Sequence, residues 1–284
     1  MRYHAQHIEN KLTSPRIIVR HEWAKKKGYT PTPEQIERGL TDVEPEIREV
    51  WAQRKDFVPS HEQVERGLSD TSAIVRIAWI QRMDYTPTPE QIERGIHDAD
   101  AEVRIAWAKR KRYKPTPEQI EKGLTDPHEE VRAAWAERKD RVPTPEQVER
   151  GLKDTHWSVR RAWAKNKHFT PTPEQIERGL TDPDHFVRFE WSQRRHIQLS
   201  PEQIERALTD DNELVRMACA GREDFTPTPE QVERGLTDTD GVVRWIWAQR
   251  TDYTPTPEQI QRGLADNNTH VSRIWREKKA MLRI

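Results

Sequence analysis

Thr32-Pro33-Glu34-Gln35-Ile36-Glu37-Arg38-Gly39-Leu40-Thr41-Asp42, then Ile47-Arg48 and Trp51-Ala52-Gln53-Arg54-Lys55, is one copy of a 28-residue repeat written ten times along a 284-residue chain. The glutamate of its Glu-Gln pair returns at Glu62, Glu90, Glu118, Glu146, Glu174, Glu202, Glu230 and Glu258 with no insertion or deletion. A worn earlier copy starts near Gln6. Self-similarity at such a period signals a stacked array, in which each repeat buries its apolar face only against its neighbours.

Each repeat reads as two short helices. Thr32 is a good N-cap, and Pro33 follows where a missing N–H costs nothing. Gln35, three residues on, completes a capping-box pattern. Ile36 and Leu40 share a face. Thr41-Asp42 ends the first helix, and Asp42 is placed to cap the second, more strongly in copies such as Asp126-Pro127 and Asp182-Pro183. Ile47, Val50, Trp51 and Arg54 form the amphipathic stripe of the second helix. An aromatic usually follows (Phe57, Tyr85, Tyr113, Phe169, Phe225, Tyr253), and a Thr-Pro-Thr-Pro-like link then stops the helix. Gly39 recurs from Gly67 to Gly263, but Lys11 and Ala207 fill the same slot and both avoid positive φ. The glycine therefore reads as close packing against a neighbouring tryptophan.

The composition is 33% hydrophobic and 34% charged. A single globular core of this length carries more apolar residues, whereas an array of thin repeats tolerates fewer, so one domain is expected. Lys+Arg is 48 and Asp+Glu is 48, which argues against a grossly basic nucleic-acid binder and leaves room for a local basic strip. The lone Cys219 allows no internal disulfide and fits a reducing compartment. Met1 to Arg20 holds no apolar leader-like run, and no stretch approaches the roughly 18 apolar residues of a membrane span. The expectation is a soluble, cytoplasmic, monomeric protein with no membrane contact.

The order Asp42, Ile47, Arg48 returns as Asp70, Val75, Arg76, as Asp98, Val103, Arg104, and onward to Asp238, Val243, Arg244. It resembles the HEAT repeat family, in which an aspartate, a valine and a basic residue recur in each helix pair. The Asp-Pro turn, the Val-Arg-Arg-Ala run at 159–162 and the Thr-Pro-Glu restart are also similar to the leucine-rich-repeat variant family. A 28-residue period is shorter than a usual HEAT repeat and longer than the variant one. Both resemblances imply a right-handed superhelix of helix pairs, and neither implies a chemistry. The HEAT resemblance further implies a ladder in which Arg48 and its equivalents pair with the aspartates of adjacent copies. The fold class expected is all-α, a right-handed α-solenoid of about ten 28-residue HEAT-like repeats. Residues 1–29 would be an N-terminal capping repeat, 30–263 the regular repeats, and 264–284 a C-terminal capping segment.

The ten copies separate framework from free positions. Position 47 is always Val or Ile, position 51 is Trp except at Cys219, and position 48 is Arg except at Ser272. Trp51 shares a face with Ile47, which makes the tryptophan row core rather than a base-stacking platform. Positions 45, 46, 49 and 53 vary freely, and three of them, spaced by four, fall on one strip of the second helix. Drift on a solvated strip should leave mostly Lys, Glu, Gln and Ser. Copies seven to nine instead offer Phe186, Phe189, Leu214, Met217, Val242 and Trp245. Exposed together they would form the kind of apolar patch that marks an interface, and Trp157 and Arg161 would extend it. The same region departs from the framework at Glu190, Leu199-Ser200, Ala207 and Cys219. The departures read either as compensated repacking at a worn junction or as a bend that shapes a partner's seat.

Charge segregates within the repeat: segment 33–42 carries net −2 and segment 103–111 net +4. A nucleic acid tracking the basic side, over Lys109, Lys111, Lys139, Lys165 and Lys167, is the alternative function. A HEAT-like DNA glycosylase would need a singular acid beside exposed aromatics, and Asp154 with Trp157, or Asp240 with Trp245, come nearest. Each of those aspartates is a repeating cap or a variable loop residue. The 11 histidines show no metal spacing, and no glycine-rich phosphate loop, nucleophile elbow or cysteine pair is present. The expectation is therefore a scaffold with no catalytic residue, metal or cofactor, recognising a protein or peptide through the variable strip.

Overall fold

Each repeat folds as a helix pair in the computed structural model, which describes residues 5–282. The first helices are α1 (Ala5–Leu12), α3 (Pro33–Leu40), α5 (His61–Leu68), α7 (Pro89–Ile96), α9 (Pro117–Leu124), α11 (Pro145–Leu152), α13 (Pro173–Leu180), α15 (Pro201–Leu208), α17 (Pro229–Leu236) and α19 (Pro257–Leu264). The second helices are α2 (Ile17–Lys25), α4 (Pro45–Gln53), α6 (Ala73–Gln81), α8 (Ala101–Lys109), α10 (Glu129–Ala136), α12 (Trp157–Lys165), α14 (His185–Ser192), α16 (Glu213–Ala220), α18 (Gly241–Gln249) and α20 (Thr269–Leu282). No strand occurs among the described residues, and no helix there is long and apolar enough to cross a membrane. The architecture is an α-solenoid of ten helix pairs. Of the two capping segments, residues 1–4 and 283–284 lie outside the described residues; α20, at 14 residues, is longer than the other second helices.

Contacts divide the chain after Asp140 into two compact units, α1–α10 and α11–α20. Within the first, α2, α4, α6, α8 and α10 pack each on the next, while α1 and α3, α5 and α7, and α7 and α9 touch sparsely. The second repeats this pattern, α12 to α20 packing in series and α13 with α15 and α17 with α19 touching sparsely. Within each unit the second helices therefore stand closer together than the first helices do.

Three interactions repeat with the period of the sequence. In the first, Thr32 Oγ1 accepts from the Gln35 N–H at 3.3 Å, and Gln35 Oε1 accepts from the Thr32 N–H at 3.1 Å. The same amide then donates to Glu9 of the preceding copy at 3.1 Å, and Gln63, Gln91 and Gln119 do likewise to Glu37, Glu65 and Glu93. One glutamine thus closes the capping box and ties two first helices together.

In the second, Arg48 donates Nε and Nη2 to Asp70 at 2.7 and 2.8 Å, and Nη1 to the Asp42 carbonyl at 2.7 Å. The two-pronged pairing recurs from Arg20–Asp42 to Arg104–Asp126, and from Arg160–Asp182 to Arg244–Asp266. This is the expected ladder. The expected role of Asp42 as helix cap is corrected: the N-cap of α4 is Glu44, and Asp42 Oδ1 accepts the Glu44 N–H one turn earlier, at 3.0 Å. Its other lone pairs go to Arg20, so it fixes the turn and the neighbour at once. Side-chain caps in the expected sense come from the later position, from Asp100, Asp184 and Asp240 and also from His128, His156 and Asn212.

The third supplies the local partners that an arginine expected on the buried stripe needs. Arg54 does not continue the α4 stripe; it is the C-cap, in extended conformation. Its equivalents reach back to the preceding second helix. Arg82 donates to the carbonyls of Ala52 and Arg54, both at 2.7 Å, and of Phe57 at 3.1 Å. The first two are oxygens that a helix end leaves without partners, at the end where positive charge is favoured, and the third belongs to the link. The guanidinium lies between the link aromatic Phe57 and its own Trp79, 4.7 and 5.4 Å from the ring centres. Arg110, Arg138, Arg194 and Arg250 sit alike between paired rings, and Lys278 takes the last such seat between Tyr253 and Trp275. Where Asn166 interrupts the series, Arg141 of the link stacks on Trp163 instead, at 5.8 Å.

The tryptophan row is core. Trp51, Trp79, Trp107, Trp135, Trp163, Trp191, Trp247 and Trp275 are among the most buried side chains of the chain. A Cβ at Gly39 would lie 2.3 Å from the Trp51 ring, and Gly67, Gly95, Gly123, Gly151, Gly179, Gly235 and Gly263 face their own tryptophans as closely. None of these glycines has positive φ. The glycine is there for lack of a side chain, the close packing expected from Lys11 and Ala207 in the same slot.

The inter-helix carboxylates give the array an acid limit. Hydrogen bonds from Arg178, Lys153 and Gln175 hold Glu149 down to about 2. Hydrogen bonding to Gln91 and Arg94 lowers Glu65 despite its burial, and bonds from Arg244 lower Asp266. A carboxylate whose folded pKa lies below its unfolded value stabilises the fold above the unfolded value and loses that contribution as pH falls through the folded one. Thermal midpoints followed by circular dichroism should therefore stay level from pH 7 to about 5 and fall between roughly pH 4.5 and 2. Glu149→Gln should flatten part of that fall; an unchanged profile would remove Glu149 from the account.

Candidate partner-binding face

The variable side chains are set by the helix lattice. Position 46 stands out from the second helix, position 45 is partly covered, and position 49 faces the next second helix. The expectation of a fully solvent-facing strip is corrected at position 49: Ile105 and Ala133 are buried, and Phe189, Met217 and Trp245 are half-buried. The cause is the close spacing of successive second helices, which sequence periodicity does not report.

In the second unit the strip is dense with large side chains. Trp157 opens α12 and stacks on Phe186 of α14, ring centres 5.5 Å apart and planes 29° apart. His185 lies 4.2 Å from Phe186, and His156 lies 5.9 Å from Trp157. Arg161 covers Phe186 at 5.2 Å and donates to Glu190 at 3.0 Å. Glu190 is itself 5% exposed and also accepts from Gln193 at 2.6 Å. The acid that broke the framework at position 50 is thus the buried partner of the variable-strip arginine. Trp157, Arg161 and Phe186 form one cluster.

Phe189 lies one turn further along α14, Leu214 and Met217 occupy the matching positions of α16, and Val242 and Trp245 those of α18. Because α14, α16 and α18 pack in series, these six side chains form three successive pairs on one side of the unit. All are half-buried except Val242, which is 46% exposed. The indole N–H of Trp245 is buried without an acceptor.

The framework breaks between Glu190 and Cys219 resolve as repacking. Cys219 is fully buried in the tryptophan slot, its thiol pushed up to about 12 by burial. Ile197 and Leu199, in place of the link aromatic and proline, are both buried. Arg222 loses both ring neighbours and keeps the three main-chain carbonyls of the seat, those of Ser192, Arg194 and Ile197.

Of the lysines on the basic side, Lys109, Lys111, Lys139, Lys165 and Lys167 are all exposed. Lys109, Lys111 and Lys139 line one notch between the ends of α8 and α10, about 540 Å³ in volume, together with Arg110, Arg138, Glu137 and Asp140. The arginines of that notch are held by the helix-end seat, so its free cations are fewer than its sequence suggests. Asp154, the first of the two acids weighed for glycosylase chemistry, accepts the His156 N–H at 2.9 Å, and the other, Asp240, caps α18. Among the described residues no group of histidine, cysteine and acidic side chains could hold a metal.

A family model for a HEAT repeat associated with sister chromatid cohesion matches residues 61–81, which is the single pair α5–α6. No curated protein matches the chain. Among solved structures, a leucine-rich repeat variant, described as having a novel repetitive protein structural motif, superposes with a TM-score of 0.53 over 84% of this chain and 87% of that one, at 22% identity. At that identity the likeness is one of fold. The pair α5–α6 is HEAT-like, and the solenoid of helix pairs that both resemblances implied is the architecture observed.

Proposed function

We propose that the chain is a non-catalytic scaffold that recognises a protein or peptide through the variable side chains of α12, α14, α16 and α18. The observation that carries this reading is the row of Phe186, Phe189, Leu214, Met217, Val242 and Trp245, six large apolar side chains that stay partly exposed at the variable positions of three successive copies. Large apolar groups kept at a surface, beside an arginine and a tryptophan, have the composition of interface hot spots. The recurring aspartates are used by the turns and ladders, so we assign no catalytic residue and no cofactor. The lone buried thiol fits a reducing compartment, and we place the protein in the cytoplasm as a monomer.

The test is selection of a displayed random-peptide library on the wild-type protein, followed by anisotropy titration of the enriched peptides. Phe189→Ala and Trp245→Ala should each weaken binding by about 10-fold or more with the helical circular dichroism unchanged. Equal affinity in both variants, or a library that yields no binder, sinks the reading.

The exposed lysines of the α8–α10 notch support a second reading, contact with a nucleic-acid backbone. Labelled duplex and single-stranded DNA should then bind at physiological salt with a steep salt slope, weakened by Lys109→Glu with Lys111→Glu. A flat response to salt would dismiss it.

A further inference from the structure

Five of the helix-end arginines are matched by a carboxylate two residues on. Arg54, Arg82, Arg138, Arg222 and Arg250 each give Nε and Nη2 to Asp56, Asp84, Asp140, Asp224 and Asp252. Those carboxylates reach solvent, with side-chain exposures from 36% at Asp252 to 41% at Asp224. In two copies the arginine remains and the aspartate does not: Arg112 follows Arg110, and His196 follows Arg194. Both guanidiniums keep the buried seat, at 4% and 6% exposure, and in both Nε is buried with no hydrogen-bond partner.

Arg194 is the barer of the two. It donates to the carbonyls of Ala164 at 2.9 Å and Phe169 at 3.0 Å, and its Nε edge is buried and unpaired. Phe169 and Trp191 hold the guanidinium between them, 4.6 and 5.3 Å from the ring centres, so its plane is set in advance. Arg195 and His196 are exposed beside it, and Lys167 is exposed on the link before it. Burial pulls Arg194 down to about 10, with no acid opposing the shift. A buried guanidinium without a counter-charge is a costly arrangement unless something fills it.

We infer that the unpaired edge of Arg194 is a receptor for a carboxylate carried by a partner peptide, seated where Asp84 and Asp224 sit against their own arginines. The five filled copies set the chemistry, a planar two-oxygen group meeting a planar fork. Arg194 directly follows α14, which carries Phe186 and Phe189. A peptide lying along the apolar row would therefore bring an acidic side chain to the fork. The choice of a peptide as occupant rests on the scaffold reading; the fork itself does not.

The experiment uses protein labelled with ¹⁵N-arginine and follows the side-chain Nε–H signals. Sodium acetate is titrated against sodium chloride at constant ionic strength, with inorganic phosphate as a separate arm. Capped Leu-Glu-Leu is then compared with capped Leu-Gln-Leu. The Arg194 signal should move saturably with acetate and with the glutamate peptide, and not with chloride or the glutamine peptide. Arg222, whose fork Asp224 fills, should stay still. His196→Asp should abolish the response and raise Tm by about 2–4 °C, because it rebuilds the pairing of the other copies. No response to acetate, a preference for phosphate, or a response that survives His196→Asp overturns the inference. A response to acetate with none to the glutamate peptide overturns the peptide as occupant. Because the readout is one side-chain N–H, failure of the apolar row would show in the display selection and failure of the fork would show here.

Discussion

Gly67→Ala should destabilise the first unit by at least about 3 kcal/mol, read as a fall in the denaturant midpoint at unchanged slope. Its Cβ would stand 2.1 Å from Nε1 and 2.2 Å from Cδ1 of Trp79, a ring 2% exposed and closed in on every side. Either the ring leaves its rotamer or α5 moves off α6, and each route strips contacts from a neighbour. Trp79→Cys alone should cost about 3–5 kcal/mol through the cavity it leaves. The double variant should cost less than the sum by at least 1 kcal/mol or so, because each change removes the other's penalty. The protein already contains that pair, as Ala207 and Cys219. It also contains the complement: Ile197 and Leu199, both 6% exposed, stand where this repeat has Phe57 and Pro59. Adding Phe57→Ile and Pro59→Leu should restore further stability. Strict additivity of Gly67→Ala and Trp79→Cys would show that the glycine answers to something other than the ring.

The glycine's role was readable before any coordinates, because Lys11 and Ala207 fill the same slot and both avoid positive φ. The capping box and the Arg48–Asp70 ladder were equally legible, the first from local spacing and the second from the HEAT resemblance. What stayed hidden shares a physical cause. Arg82 spends its donors on the main-chain oxygens of Ala52, Arg54 and Phe57, and a carbonyl leaves no trace in a sequence. The half-burial of Phe189 and Trp245 depends on the distance between successive second helices, which a helical wheel does not contain. The pairing of Arg161 with Glu190 spans 29 residues and occurs once, so no periodicity pointed to it. The unfilled fork at Arg194 could be noticed only after its filled counterparts were seen, although the missing aspartates at 112 and 196 were in view throughout.

Arg104→Met should cost about 3–5 kcal/mol, the penalty for leaving one half of a buried ion pair behind. The abandoned Asp126 has a side chain 3% exposed and would keep the His128 N–H, at 2.9 Å, as its remaining donor of those that bind it here. The arginine's bond to the Asp98 carbonyl, at 2.8 Å, goes as well. Adding Asp126→Asn removes the stranded charge and keeps an acceptor for His128, so the double variant should be more stable than Arg104→Met alone. An ion pair of similar appearance supplies the control. Arg94 meets Glu65 at 2.7 Å between neighbouring first helices, but the two side chains are 47% and 42% exposed. Water screens that pair, and Arg94→Gln should cost no more than about 1 kcal/mol. The contrast follows from the packing of the unit: the Arg104 ladder joins the turns of adjacent helix pairs in buried surroundings, and the Arg94 ladder joins first helices that touch sparsely. Comparable losses at the two sites would mean that burial is not what separates the ladders, and the array would then be held as firmly between its first helices as between its turns.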